Sequence, residues 1–392
     1  MQTYDFDTVH NRIGTGAIKY EQNPSHSPQS VIPMWIADMD FKVPPAVTEA
    51  LTRAAGHGIF GYTLTDDEYD ELIVSWYAKR MEWKICPEWI LKTPGVMFAI
   101  AASIRALTES GDAVLICQPV YYPFAKVITE NNRQLIVSEL IFNKGRYEIN
   151  FTDLEEKIVK NSVKLFLLCS PHNPVGRVWT KEELKHIGEI CLRHDVIIIS
   201  DEIHSDFIFE GRHTPIASLS DALAHRTITC TSPTKTFNLA GLQAANIVIS
   251  NDKLRRKVRK ACLATGYSNL NTMAIVAAKA AYREGEAWLN ELLSYLRGNY
   301  DVLKGAFSEN SKISLIHPEG TYLAWLDCRR LNKSDRELED FFTNQAGVRL
   351  HLGTTFGTGG NGFVRMNIAC PRSVLLEAIT RIENEMQKEK CK

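Results

Sequence analysis

The sequence has no long hydrophobic run, and none of its apolar stretches approaches the length of about eighteen residues that a membrane-spanning helix needs. Residues 1–12 carry acidic side chains and no apolar core, which is not the pattern of a signal peptide. Excess charge of either sign is also missing, because 45 Lys and Arg stand against 46 Asp and Glu. We therefore expect neither a membrane partner nor a nucleic-acid partner, since both would favour a basic surface.

The cysteines show no pattern. Nine of them are scattered along the chain, with no CxxC pair and no spacing typical of a metal site. An odd number in a chain of 392 residues favours reduced thiols and a cytoplasmic location. Cys117, Cys169 and Cys230 fall in apolar runs, where a buried free thiol is the expected state. The sequence therefore predicts reduced cysteines and no bound metal.

Three common catalytic motifs are absent, namely GxxxxGK[ST], HExxH and GxSxG, so the P-loop, zincin and α/β-hydrolase classes have no support. A formal GxGxxG does occur at Gly357, Gly359 and Gly362. A dinucleotide-binding fingerprint follows a strand and opens a helix, whereas this one precedes an apparent strand. We therefore interpret residues 353–363 as a flexible loop.

What the sequence does contain is an alternation of apolar strands and helices. Apolar runs predicted to be strands lie at 113–119, 163–171, 196–204, 227–232 and 244–249. This order predicts an α/β fold with a mainly parallel sheet flanked by helices. The length exceeds that of a single core, and short strands alternate with helices toward the C-terminus, which predicts a smaller α+β domain. The predicted boundaries are 1–45 for an N-terminal arm that joins the small domain, 46–285 for the large domain and 286–392 for the small domain.

Polar side chains follow four of the predicted strands. Tyr121, Asn173, Asp201 and Lys235 each lie at or just after the end of one of them. Because ligands bind such sheets at the carboxyl ends of the strands, we expect these four residues to converge on one site. The turn 93–95, which feeds the N-terminus of a predicted helix, is a candidate anion site, although any helix start offers free N–H groups.

Lys235 lies beside the hydroxyls of Ser232 and Thr234 at the end of a strand. This setting suits a Schiff-base nucleophile next to a phosphate site, or a cation that binds the phosphate. An arbitrary lysine, however, is most often a solvated surface residue. The residue taken alone does not decide between these interpretations.

The other candidates also have ordinary structural explanations. Asp201 with Glu202 could be a pair of metal ligands, a general base or a helix cap. Asn173 in the PHNP turn could be a turn former, Tyr121 a core residue and Arg365 a member of a surface ion pair. The order and spacing of all of them taken together favour a functional site.

Three segments carry that order: SPHNPVG at 170–176, SDEIH at 200–204 and SPTKTFNLAGLQ at 232–243. They resemble the pyridoxal-phosphate enzymes of the aspartate-aminotransferase fold, the class I/II aminotransferases, over nearly the whole chain. Within that superfamily the chain is most similar to the MalY/PatB-type cystathionine β-lyases, which are C–S lyases, through PMWIADMDF at 33–41, DEIH and KTFNLAGLQ. The resemblance implies fold type I and pyridoxal 5'-phosphate as the cofactor.

The same resemblance implies residue roles that the chemistry of such a cofactor needs. Lys235 would carry the cofactor on its amine and move the Cα proton of the substrate. Asp201 would pair with the pyridine nitrogen, and Arg365 would hold the substrate carboxylate with its planar fork. The remaining implied contacts are Tyr121 stacked on the ring, Asn173 on the phenolic oxygen and near the substrate, His204 beside the cofactor, Gly95, Val96, Met97, Ser232 and Thr234 on the phosphate, Asp38 near the substrate, and Tyr62 on the phosphate of the partner subunit in a homodimer.

Two positions depart from the common aminotransferase pattern. Gln243 stands where a phosphate-binding arginine is usual, and His204 stands where a tyrosine usually bonds the phenolic oxygen. Both departures recur in the C–S lyases, so they favour β-elimination of L-cystathionine and related cysteine S-conjugates to a thiol, pyruvate and ammonia. An aminotransferase remains the alternative, and a regulatory protein that keeps the cofactor site is a second one.

Overall fold

The computed structural model describes residues 4–22, 31–308 and 311–390, except for the side chains of 389 and 390. The turn-rich part of the predicted arm, 23–30, lies outside the described residues. The strands are β1 (Ile32–Pro33), β2 (Ile90–Thr93), β3 (Ala113–Gln118), β4 (Gln134–Glu139), β5 (Ile141–Asn143), β6 (Arg146–Glu148), β7 (Leu165–Cys169), β8 (Ile197–Asp201), β9 (Thr227–Thr231), β10 (Ala245–Val248), β11 (Ser314–Leu315), β12 (Leu323–Asp327), β13 (Val348–Arg349), β14 (His351–Leu352) and β15 (Phe363–Asn367).

The α-helices are α1 (Ile18–Glu21), α2 (Pro45–His57), α3 (Asp67–Met81), α4 (Val96–Leu107), α5 (Pro123–Glu130), α6 (Phe151–Lys160), α7 (Lys181–Arg193), α8 (Asp221–Ala224), α9 (Pro233–Thr236), α10 (Asp252–Leu263), α11 (Thr272–Glu284), α12 (Glu286–Ala306), α13 (Asp335–Glu339) and α14 (Arg372–Lys390). A π-helical turn, Asp340–Gln345, continues α13. In the part of the chain that the structure describes, no helix is both long and apolar enough to cross a membrane.

Seven strands form the central sheet, in the order β2-β10-β9-β8-β7-β3-β4. The pairs from β9 through β4 are parallel, and only β10 runs antiparallel to its neighbours β9 and β2. Strands β7 and β9 are buried along their whole length, β7 as a continuous apolar run and β9 with three threonines among its five residues, as strands with helices on both faces should be. The predicted α/β fold with a mainly parallel sheet is therefore confirmed.

A second sheet, β11-β12-β15-β14, is antiparallel and belongs to the C-terminal part of the chain. The arm reaches this part through β1, which pairs in parallel with β13. One apolar core extends through both sides of the predicted boundary between 285 and 286, since α11 and α12 share it. The domain limits themselves remain a prediction.

The glycine-rich loop 353–362 is closely packed against its surroundings. A Cβ on Gly353 would lie 2.1 Å from the carbonyl oxygen of Gly360, and one on Gly357 would lie 2.2 Å from the amide carbon of Gln118. The Gln118 side chain also accepts hydrogen bonds from the N–H and hydroxyl of Thr358, at 3.0 and 3.1 Å. Glycine here permits close backbone approach, a requirement that composition alone, which suggested a flexible loop, does not reveal.

Candidate active site

A cavity of about 530 Å³ opens at the carboxyl ends of the parallel strands. The parallel register places Cys169 of β7, Asp201 of β8 and Cys230 of β9 side by side, so the segments that follow these strands emerge at one edge. Of the predicted site residues, the cavity is lined by Gly95, Val96, Met97, Tyr121, Asn173, Asp201, His204, Lys235 and Arg365. The four residues that follow strand ends, Tyr121, Asn173, Asp201 and Lys235, therefore lie around one cavity, as expected.

Lys235 lies in the short helix α9 directly after β9. Ser232 caps this helix by accepting a hydrogen bond from the N–H of Thr234 at 3.0 Å. The Lys235 amine reaches across the cavity and donates a hydrogen bond to the carbonyl oxygen of Ala37 at 2.5 Å. The pKa of this amine is lowered to about 8, chiefly by burial and also by the nearby Arg365 cation, while Asp38 and Asp201 oppose the shift. A lysine poised in this way carries a substantial neutral fraction near neutral pH, as a nucleophile or a base needs.

Asp201 ends β8 and is buried at the floor of the cavity. Its Oδ1 accepts one hydrogen bond, from the N–H of Ile203 at 3.1 Å. The pKa of this carboxyl is raised to about 7, chiefly by burial and also by the neighbouring Glu202, whereas the Ile203 N–H and Lys235 oppose the shift. A buried carboxyl of this kind favours a cationic partner, because the partner stabilises the ionised form.

Arg365 projects from β15 and is 3% exposed. It donates to Asn173 Oδ1 at 3.0 Å and to the carbonyl oxygen of Trp35 at 2.7 Å, and its guanidinium lies 4.8 Å from the centre of the Phe356 ring. The Nε atom is buried without a hydrogen-bond partner. A buried guanidinium with a free donor is suited to bind a planar anion such as a carboxylate.

His204 and Tyr121 complete the walls of the cavity. His204 is buried, its Nδ1 has no hydrogen-bond partner, and burial together with Lys235 and Arg365 holds its pKa well below the ordinary value. Burial raises the pKa of Tyr121 to about 12, so its hydroxyl stays protonated. Both side chains are therefore uncharged groups near neutral pH.

The candidate anion site is the N-terminus of α4. Gly95 is its N-cap and supplies no side chain, so the first N–H groups of the helix have no side-chain partner. Ser232 and Thr234 do not line the cavity: Ser232 Oγ donates to the carbonyl oxygen of Ala244 at 2.6 Å and lies 2.6 Å from Thr234 Oγ1. Their predicted phosphate contacts stay a prediction.

Two other predicted residues lie away from the cavity lining. The Asp38 carboxylate is directed toward the N-terminal arm, where Oδ2 accepts from Arg12 at 2.7 Å. Tyr62 lies in the loop 58–66 and is fully exposed. The structure does not bring either side chain to the other predicted residues within one chain.

The opposite wall of the cavity is formed by residues that the sequence analysis did not single out. They include Ile18, Gln22, Trp35, Ile36, Tyr122 and His351. Residues 35–41, here called the strap, contribute Trp35, Ile36 and Ala37 to the cavity lining and are held by side chains from distant parts of the chain. Asn367 donates to the carbonyl oxygens of Ile36 and Asp38, both at 2.6 Å, and Tyr322 donates to that of Ala37 at 3.0 Å.

A cluster of four charges, of which Lys19 and Asp40 are buried and Arg12 and Asp38 half-buried, joins the arm to the strap. Lys19 is 1% exposed and lies 2.7 Å from Asp40 Oδ2 and 3.8 Å from Asp38 Oδ1. Arg12 lies 2.7 Å from each of the same two carboxylates. The ADMD letters of the strap were part of the family resemblance, but nothing in the sequence marks Arg12 or Lys19 as their partners, because the pairing depends on the path of the arm.

The chain therefore offers what pyridoxal phosphate requires. Lys235 could hold the aldehyde carbon, Asp201 the ring nitrogen, Asn173 the phenolic oxygen and the α4 N-terminus the phosphate, and the cavity has room for the ring. Arg365 and His204, whose Nε and Nδ1 atoms are buried without a hydrogen-bond partner, line the same cavity. Among the described residues no group of three or more His, Cys, Asp or Glu side chains could hold a metal ion.

Comparison with known proteins agrees with this fit. The family model "Aminotransferase class I and II" matches residues 29–382. The cystathionine β-lyase PatB of Bacillus subtilis is 41% identical over 97% of this chain and 99% of its own length. Cystalysin of Treponema denticola, whose crystal structure contains pyridoxal 5'-phosphate, is 38% identical with a TM-score of 0.95, covering 99% of this chain and 100% of its own. A pyridoxal-phosphate-bound protein of Clostridium difficile 630, described as an aminotransferase, is 44% identical with a TM-score of 0.95, covering 98% and 100%.

Proposed function

This chain belongs to the family of class I and II aminotransferases, and within it we propose a pyridoxal-phosphate-dependent carbon–sulfur β-lyase. The substrates are L-cystathionine and related cysteine S-conjugates, and the products are a thiol, pyruvate and ammonia. For cystathionine the thiol is homocysteine.

One observation carries the proposal. An amine with a pKa of about 8, a buried carboxyl and a buried guanidinium all face one cavity, on Lys235, Asp201 and Arg365. These are the groups that α,β-elimination from an amino acid requires: a base, a counter-charge for a ring nitrogen and a carboxylate anchor. The 41% identity to a cystathionine β-lyase supports elimination over amino-group transfer.

Arg365, Lys235 and Asp201 have separate roles in the proposed reaction. When bound, the cofactor supplies an electron-accepting ring that stabilises negative charge at the substrate Cα. Arg365 binds the substrate carboxylate through its free Nε and orients the Cα–H bond toward Lys235. The Lys235 amine then takes up the Cα proton, the Cα electron pair forms a Cα=Cβ double bond, and the Cβ–S bond breaks with its electron pair leaving on sulfur as a thiolate. The released aminoacrylate takes up one water molecule and gives pyruvate and ammonia. Asp201, ionised, stabilises the positive charge on the ring nitrogen throughout.

We further propose that the protein acts as a cytoplasmic homodimer. The loop 58–66 exposes Ile59, Phe60, Tyr62 and Leu64, a run of apolar side chains unusual on a free surface. A second copy of the chain would cover it, with Tyr62 reaching the partner's phosphate. The described cysteines are unpaired and nearly all buried, which supports a reducing compartment.

The first experiment measures product formation by the purified protein. L-Cystathionine is added without any keto acid, and pyruvate and free thiol are assayed together with the visible spectrum. We expect a yellow protein that releases both products in equal amounts. Pyruvate that depends on an added keto-acid acceptor would instead identify an aminotransferase, and a protein that cannot be loaded with pyridoxal phosphate would refute both.

The dimer is tested by complementation. Lys235→Ala and Tyr62→Ala variants are each expected to be inactive, but mixing and reassociating them creates hybrid dimers with one intact site. In a symmetric dimer, random mixing restores about a quarter of the wild-type sites. No recovery in hybrids whose formation is verified would contradict a shared site.

A further inference from the structure

Behind the sheet, on the side away from the cavity, lies a second buried cluster of ionisable groups. Glu202 and His213 are 1% and 4% exposed, and Glu202 Oε2 lies 2.9 Å from His213 Nε2. The other oxygen, Oε1, accepts from Ser200 Oγ at 2.8 Å. The proposed function uses none of these three side chains.

The strand explains why this cluster lies next to the site and yet outside it. Successive side chains of a strand point to opposite faces, so Ser200 and Glu202 share one face of β8 and its extension, while Asp201 points from the other face into the cavity. Two carboxyl groups on adjacent buried residues would oppose each other's ionisation. Glu202 does raise the pKa of Asp201. A cation beside Glu202 would remove that opposition.

We propose that His213 is a positioning residue: it holds a proton against Glu202, and this buried ion pair allows Asp201 to remain ionised opposite the pyridine nitrogen of the cofactor. The inference rests on the proposed function, because it assigns Asp201 that role. It extends the site to a loop, 210–215, that does not touch the cavity.

The other groups around the two carboxyls do not substitute for His213. Asp201 faces Lys235 and Tyr121 across the cavity and Cys169 and Cys230 on the neighbouring strands. Glu202 faces Cys230 and Tyr77 of α3. Burial raises the pKa of each of these thiols and phenols, so they stay neutral. Among these neighbours, His213 alone can place a positive charge beside Glu202.

The test compares two ligands that differ only at the ring nitrogen. Cofactor-free protein is titrated with pyridoxal 5'-phosphate and with its 1-deaza analogue, which has carbon in place of the nitrogen, from about pH 5.5 to about pH 8.5, roughly 1.5 units on either side of neutrality. The ratio of the two dissociation constants reports the charge on Asp201, since a structural disturbance weakens both ligands alike. In the wild type the preference for the nitrogen-containing ligand falls as pH drops and Asp201 takes up a proton.

The variants predict shifts of opposite sign. His213→Gln leaves the Glu202 charge uncompensated, so the midpoint of the ratio moves to higher pH by about one unit, and the preference near neutrality falls roughly tenfold. Glu202→Gln removes the opposing charge and moves the midpoint to lower pH. The double variant returns the midpoint toward the wild type, which a packing defect would not do. Ser200→Ala, which removes a hydrogen bond but no charge, leaves the midpoint in place.

Unchanged midpoints in the variants, or shifts of both single variants in the same direction, would overturn the inference. If His213→Gln does not fold, the direction of the Glu202→Gln shift decides alone. A wild-type protein that binds neither ligand would instead refute the proposed function. The two failures are therefore distinct.

Discussion

The two walls of the cavity are built in different ways. The sheet-edge wall, with Asn173, Asp201 and Lys235, is positioned by parallel strands whose register places their ends side by side. The arm wall, the strap and the residues that hold it, is assembled by side chains far apart in sequence, such as Lys19 with Asp40 and Asn367 with the carbonyl oxygens of the strap. One wall follows from backbone topology, and the other from individual long-range polar contacts.

This difference has a consequence for substitutions. On the sheet-edge wall a change removes one chemical group and leaves the backbone in place, because the ladder of strand hydrogen bonds holds it. On the arm wall a substitution removes a side-chain contact that holds the strap in place, because the strap makes few backbone hydrogen bonds of its own. We therefore expect losses of chemistry on the first wall and losses of local stability on the second.

The largest effect is expected from Lys235→Ala on the sheet-edge wall. Removing the amine that we propose as the base and as the attachment point of the cofactor should lower the rate of pyruvate formation by about four orders of magnitude or more. Circular dichroism and thermal unfolding should be nearly unchanged, since the side chain makes one hydrogen bond, to Ala37. Substantial residual turnover would show that another group removes the Cα proton.

On the arm wall, Lys19→Met should destabilise the protein. Asp40, 7% exposed, keeps Arg12 as a cationic partner, so the loss should stay below the roughly 3–5 kcal/mol that leaving a buried charge unpaired costs. Hydrogen–deuterium exchange should quicken in the strap and the arm before it does in β7 or β8. Uniform loss of protection across the sheet would contradict a local fastening.

Arg365→Lys lies where the walls meet, since Arg365 contacts Asn173 on one side and Trp35 on the other. An ammonium cannot reproduce the bidentate fork, so KM for cystathionine should rise about a hundredfold, equivalent to about 2.7 kcal/mol. If kcat falls and KM does not, the guanidinium acts on the transition state rather than as a carboxylate anchor.

Asp38 of the arm wall also acts electrostatically on Lys235 of the sheet-edge wall, and the titration of that amine should show this effect. In cofactor-free protein the Lys235 amine, with a pKa of about 8, becomes neutral as the pH rises through that value, whereas an ordinary lysine does so near 10.5. Its rate of reaction with a small acylating reagent should therefore rise between pH 7 and 9, the range of about one unit on either side of that pKa. Asp38→Asn removes a carboxylate that favours the charged amine, so the midpoint should move to lower pH. An unmoved midpoint would mean that the strap does not influence the amine.

The smallest effect is expected from Lys185→Met, which is the matched control for Lys19→Met. Lys185 forms an exposed pair with Glu189 at 3.9 Å on α7, far from both walls. Lys185→Met should change the free energy of unfolding by no more than about 0.5 kcal/mol and leave pyruvate formation as it was. A loss comparable to that of Lys19→Met would show that burial is not what distinguishes the two lysines.

The sheet-edge wall could be predicted from the sequence. Apolar runs of strand length, polar residues at their ends and a lysine beside hydroxyls predict both the parallel sheet and the convergence of Tyr121, Asn173, Asp201 and Lys235, because strand polarity brings carboxyl ends together. The residues Thr180 and Glu183 also predict the capping box that begins α7, because its hydrogen bonds join neighbours in the sequence.

The arm wall and the cluster behind the sheet could not be predicted from the sequence, because they depend on the tertiary structure. The pairing of Lys19 with Asp40, the contact of His213 with Glu202 and the closeness of Gly353 to Gly360 depend on where distant segments pass each other. No periodicity marks such contacts, because a buried lysine or histidine looks in the sequence like any exposed one. Burying such a side chain costs free energy unless a partner offsets that cost, and the fold specifies the partner.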